Sequence, residues 1–170
     1  MGLKMQSREW QALDPAVRGK LEGLQKGLPV SLSAIARALG VAVKAATLPP
    51  GISGEIRPDG EADGKFVIRV NRHDIPERQR FTVARELGHF LLHRDQIGRG
   101  IEDDVLFRSR LSDWREAEAN RIAADILMPE ALIKEAYREA KSIGVEDISA
   151  YLARQFDVSE AAMKIRLGIS

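Results

Sequence analysis

The chain has 170 residues, 44% hydrophobic and 30% charged, a globular composition that excludes wholesale disorder and suits one domain, or one domain with a small appendage. Its 26 basic and 25 acidic residues leave a net charge of +1, which argues against a general polyanion binder. With no cysteine, any metal has to be held by histidine and carboxylate; with no secretory leader and no apolar run near the roughly 20 residues that span a bilayer, the cytoplasm is the expected location and no membrane is expected as a partner.

Residues 1–7 carry no pattern and read as a loose end. From Asp14 to about Lys26, Val17, Leu21 and Leu24 recur at helical spacing behind an N-cap aspartate and Pro15, a proline at the first helical position. Pro29 breaks the chain, and Ser31 caps a short helix over 32–39 that Gly40 ends. A β region follows. Val41 to Val43 starts a strand, residues 48–51 make a turn, and strands over 53–57 and 65–71 flank a polar link as a half-buried hairpin. Together these predict a small three-stranded, mostly antiparallel sheet over about 41–71. Pro76 opens a helix that runs through Phe81, Ala84, Leu87 and Leu91 to about His93. Residues 94–112 read as a surface loop. Asp113, with Glu116 three residues later, is a capping-box-like start for a helix over about 113–127, closed by Met128 and Pro129. Further helices are predicted near 130–140, 147–156 and 159–168.

The helix over 76–93 carries the chemistry. It holds Glu86, His89 and His93, and a glutamate three residues before a histidine is half of the zinc-protease signature His-Glu-x-x-His. The first histidine of that signature is replaced by Arg85. A catalytic zinc needs three protein ligands and an open position for water, with the glutamate beside that water as general base. The third ligand must come from elsewhere. Glu116, on the next helix, is the natural candidate, and Asn120 follows it one turn later as a second-sphere hydrogen-bonding group. Glu118 projects roughly 200° away from Glu116 around that helix and is not assigned to the metal.

Residues 82–93 and 116–129 together resemble the ImmA/IrrE family of zinc metallo-endopeptidases. Members of that family carry a Thr-x-Ala-His-Glu-x-Gly-His-x-x-x-His segment followed by Glu-x-x-Ala-Asn-x-Phe-Ala-x-x-Leu-Met-Pro, and residues 33–41 are similar as well. The resemblance covers about 30–129 well and the last helices loosely. It implies an α+β fold: a zincin-like metallopeptidase domain over 1–129, with its small sheet packed on an active-site helix at about 76–93 and a third-ligand helix at about 113–127. Residues 130–170 would then be a C-terminal helical extension with a helix-turn-helix-like cadence. Zinc is the implied cofactor, Glu86 the implied general base, and His89 and Glu116 the implied second and third ligands. Family members cleave or otherwise inactivate helix-turn-helix repressors, so the implied partner is such a protein.

Arg85 departs from the family pattern. A guanidinium stays protonated and offers no lone pair, so it cannot ligate zinc. His93 is the other histidine to weigh as a ligand. Residues 85 and 93 lie roughly 12 Å apart along a helix, and a site on His89 and His93 would sit roughly one turn from the family position. Phe90 would then stand where the base is needed. Two outcomes of the resemblance follow: a metallo-endopeptidase that cuts its repressor, or a metal-free or weakly active pseudoprotease that binds it, with Arg85 paired to Glu86 or Glu116. A rival reading is a DNA- or regulator-binding module. Residues 32–41 resemble the first half of a helix-turn-helix and 148–167 have a similar cadence, and Lys164 and Arg166 would then be phosphate contacts. Both also read as plain helix pairs packed on the core. A further use, independent of metal, is peptide capture along an edge strand at 65–71.

Overall fold

The computed structural model describes residues 2–97 and 113–169. In chain order the elements are α1 (Arg8–Gln11), α2 (Pro15–Leu24), α3 (Leu32–Leu39), β1 (Val41–Ala46), β2 (Gly54–Pro58), β3 (Phe66–Asn71), α4 (Pro76–His93), a 3-10 turn (Arg94–Gln96), α5 (Asp113–Leu127), α6 (Glu130–Ser142), α7 (Ile148–Phe156) and α8 (Glu160–Leu167). The fold is α+β, a small sheet packed on helices. No helix among the described residues is long and apolar enough to cross a membrane.

Local chemistry places the boundaries. The Asp14 carboxylate accepts the Ala16 N–H and Pro15 starts α2. The Ser31 hydroxyl accepts the Ala34 N–H, and Gly40 ends α3 in the left-handed region at φ 73°. The capping-box start expected at Asp113 lies at the limit of the described residues, where α5 already includes Asp113. Most of the loop expected at 94–112 lies outside them; its first residues form the 3-10 turn.

The sheet is mixed rather than mostly antiparallel. Its order is β1-β3-β2, with β3 antiparallel to β2 and parallel to β1. The reason is topological: the 46–54 connection carries the chain past a vacant position to the far edge, and the tight return from β2 then drops β3 into the gap, running the same way as β1. The strand expected to offer an edge at 65–71 is therefore the central one, and the edges are β1 and β2.

The first residues are not a loose end. Lys4 N–H donates to the Arg166 carbonyl at 2.9 Å, Gln6 N–H to the Glu130 carboxylate at 3.2 Å, and Ser7 N–H to the Asp125 carboxylate at 3.2 Å. The Ser7 hydroxyl also donates to Asp125 while accepting the Trp10 N–H, which caps α1. Trp10 itself is buried in the core. Partners more than 100 residues away leave no local pattern, which is why this segment is featureless in the sequence.

α4 is the central element. From Thr82 onward it is buried on most sides, including Thr82, Val83, Ala84, Leu87 and Phe90, so it lacks the narrow apolar stripe of a surface helix. Two glycines allow its neighbours to approach. A Cβ at Gly54 of β2 would run into the Thr82 methyl, and one at Gly88 would meet the Ala119 carbonyl oxygen of α5 at 3.0 Å. The C-terminal helices contribute Ile133, Leu152, Phe156, Met163 and Leu167 to the same core cluster as Leu87 and Ile122.

Candidate active site

The close approach at Gly88 sets the site. Because α4 and α5 nearly touch there, residues flanking the contact on either helix are brought within hydrogen-bond reach of each other. On α4 the buried side chains nearest the contact include Glu86, His89 and His93; on α5, Glu116 and Glu118 leave the helix on opposite sides of Ala119. His89 Nδ1 and His93 Nδ1 are 2.9 Å apart. His89 Nε2 lies 3.2 Å from Glu116 Oε1, and His93 Nε2 lies 3.1 Å from Glu118 Oε1. A continuous chain results, carboxylate to imidazole to imidazole to carboxylate. Arg85 closes one end, its Nε 3.9 Å from Glu116 Oε2.

Each Nε2 faces a glutamate oxygen that can accept its proton, and the two Nδ1 atoms face each other, where one can donate and the other accept. Burial pushes His93 below the usual imidazole range; the bond to Glu118 opposes this, and the neighbouring His89 and Arg115 reinforce it. A neutral His93 ring suits its two contacts, one nitrogen donating to Glu118 and the other free to accept from His89. Trp114 stands edge-on to His93, with ring centroids 6.4 Å apart, and is itself largely exposed.

The residues expected at the site are brought together unequally. Arg85, His89, His93 and Glu116 are joined in one chain of contacts. Glu86 is buried, at 1% exposure, one residue beyond Arg85. Asn120 is exposed and lines a separate cavity with Phe81 and Arg121. Glu118, not assigned to the site from its helical angle, bonds His93. Its position follows when angles are measured from the packed face of α5, Ala119, Ile122 and Ala123, instead of from Glu116: the two glutamates then flank that face. Arg166, expected as a phosphate contact in the rival reading, is 4% exposed and its Nη2 donates to the Met128 carbonyl at 2.8 Å and to Asp125 at 3.0 Å, so it is a core group and not a surface contact. Lys164 is held by Glu160 at 3.0 Å.

A zinc ion does not fit these side chains. Among the described residues no group of three or more histidines and carboxylates is arranged to hold a metal. Arg85 presents a cation where a third lone pair is needed. His89 Nε2 and Glu116 Oε1, 3.2 Å apart, are two donors of such a site, and the third is what Arg85 takes away.

A buried helix carrying half a His-Glu-x-x-His signature, crossed by a second helix that delivers a glutamate to its histidine, on a small mixed sheet, defines the class: a zincin-type metallopeptidase domain. The particular family follows from comparison. The model of the IrrE N-terminal-like domain, Peptidase_M78, matches residues 36–168, and the chain belongs to that family. It is 36% identical over 118 residues to the radiation response metalloprotease IrrE of Deinococcus radiodurans, covering 66% of this chain and 35% of that protein. It is 37% identical over 114 residues to the protein of the same name from Deinococcus deserti, covering 64% of this chain and 40% of that protein. The chain therefore spans well under half the length of these relatives. Among solved structures, a Mycobacterium tuberculosis transcriptional regulator shares the fold, with a TM-score of 0.57 at 22% identity, over 91% of this chain and 45% of that one.

Proposed function

We propose that this domain is a pseudoprotease of its family: it binds a protein partner, a helix-turn-helix transcriptional repressor, and leaves it uncut. The observation that carries the reading is Arg85, whose guanidinium lies beside Glu116 where the family places its first metal ligand. A charged fork there takes over part of the metal's electrostatic role, neutralising the glutamate on α5 while offering no Lewis acid and no site for an activated water. The contacts of His89 with His93 and Glu116, and of His93 with Glu118, hold these side chains in place without a metal. Nothing in this exchange alters β1 or β2, the two edge strands, so an extended segment of a partner can still add to the sheet.

Incubation of the purified chain with candidate repressors tests the reading. The expected result is a stable complex, seen by co-elution, in which the repressor stays at full length whether or not a chelator is present. Chelator-sensitive cleavage of the repressor would overturn it.

A further inference from the structure

We propose that the open cavity bordered by the N-terminal segment, α4, α5 and α8 binds a small apolar molecule carrying one carboxylate. The cavity has a volume of about 380 Å³, within the range of small-molecule sites. Met5 of the N-terminal segment, Phe81 of α4, Met128 just after α5 and Ile165 of α8 form its apolar wall. Met5 and Ile165 are 66% and 59% exposed, so apolar surface at the rim stays in water until something covers it.

The charge of the lining selects the head group. Lys4, Arg121 and Arg166 all line the cavity, and no acidic side chain does. Two of these cations are neutralised from behind. Arg121 donates from Nε and Nη2 to Glu9, and Arg166 donates to Asp125. Among the ion pairs of the described residues Lys4 has no such carboxylate, and it sits exposed at the mouth. One unspent ammonium above an apolar pocket matches one anionic head on an apolar body.

The walls favour a compact ligand over an extended chain. The N-terminal segment is bonded to the end of α8 through Lys4 N–H and the Arg166 carbonyl at 2.9 Å, so these two parts of the lining are tied together. The cavity's volume suits a molecule of drug-like size rather than a length of peptide. The position also gives the ligand something to act on. Phe81 lies one turn before Arg85 on α4, and Asn120 one turn after Glu116 on α5. A molecule in the cavity therefore touches both helices that carry the candidate site, while the geometry supporting its binding is independent of whether a repressor is the partner.

Decanoate titrated into the full chain, followed by calorimetry, is the direct test, with decanol as the uncharged control. Saturable binding of one decanoate per chain is expected, tighter than decanol and weakened by salt. Lys4→Gln, an exposed change that leaves the core alone, is expected to weaken decanoate by about 3–5-fold, the worth of one partly exposed ion pair. Ala162→Phe, which fills the cavity from α8, is expected to abolish binding of both probes. No saturable binding, decanol binding as tightly as decanoate, or decanoate affinity unchanged in Lys4→Gln would each overturn the proposal. Because Lys4→Gln leaves folding untouched, the test stands however well Ala162→Phe folds.

Discussion

The Asp125–Arg166 pair offers the sharpest test of how the ends of the chain are joined to its centre. Asp125 is 1% and Arg166 4% exposed. Arg166 Nη2 donates to Asp125 at 3.0 Å, and its Nε and Nη2 donate to the Met128 carbonyl at 3.1 and 2.8 Å. The other carboxylate oxygen of Asp125 holds Ser7. Arg166→Met keeps much of the side-chain volume but leaves a buried carboxylate without its cation and the Met128 carbonyl without its donors. Breaking a buried pair in this way costs about 3–5 kcal/mol. For a chain of this size that is a fall in Tm of roughly 6–20 °C. Burial already raises the Asp125 carboxyl above its ordinary value of 3.8, with Ser7 and Arg166 opposing the rise. Removing Arg166 raises it further. A carboxyl whose folded value is raised costs stability above that value and costs none below the unfolded one, so the deficit of Arg166→Met is expected to shrink as pH falls toward 4. Adding Asp125→Asn, which removes the buried charge and keeps an acceptor for Ser7, is expected to recover part of the loss at neutral pH. Thermal unfolding of the variants across pH 4–8 reads all of this. A Tm within about 1 °C of the parent for Arg166→Met, or a deficit that grows in acid, would refute the reasoning.

Two further outcomes follow from packing and charge. A Cβ at position 88 would meet the Ala119 carbonyl oxygen at 3.0 Å and its Cα at 3.3 Å, both backbone atoms that cannot step aside. Gly88→Ala is therefore expected to lose about 1–3 kcal/mol by denaturant unfolding and to spread the His89–Glu116 contact, despite alanine's better helix propensity; a gain in stability would contradict the close approach. Glu9, hydrogen-bonded by Arg121, has its carboxyl lowered from 4.5 to about 2. A lowered carboxyl contributes stability that is complete above about 4.5 and lost as pH falls toward 2, so Arg121→Ala is expected to flatten the acid limb of the stability curve. With Arg121 41% exposed on its side chain, solvent screening reduces the effect to about 1–2 kcal/mol at neutral pH. An acid limb identical to the parent's would rule the pair out as its source.

Local signals account for most of the elements, and long-range ones for what is hidden in the sequence. Caps at Asp14, Ser31 and Gly40 and the proline at 76 mark helix ends by chemistry that acts within a few residues, and the helices they bound are legible. The 58–64 link signals the hairpin for the same reason. Sheet order is not legible, because β1 and β3 are related only through the path of the 46–54 connection. Nor is the anchoring of residues 2–7, whose partners Asp125, Glu130 and Arg166 lie at the other end of the chain. At the candidate site, helical spacing places Arg85, His89 and Glu116 on facing helices. It misplaces Glu118, because an angle measured from one residue says nothing about where the neighbouring helix lies. Arg166 shows the opposite failure: a basic residue near the end of a helix reads as surface charge until a buried aspartate is found beneath it.

Zinc content of the purified chain measures most directly whether Arg85 has replaced the metal. Prepared without chelator and assayed by elemental analysis, the protein is expected to hold far less than one zinc per chain. Arg85→His, which restores a histidine four residues before His89 and facing Glu116, is expected to hold one. Free zinc at a hundred times its dissociation constant would stabilise that variant by about 2.7 kcal/mol, a rise in Tm of roughly 5–11 °C that the parent should not show. One tightly held zinc per chain in the parent protein would contradict the replacement of the metal by Arg85.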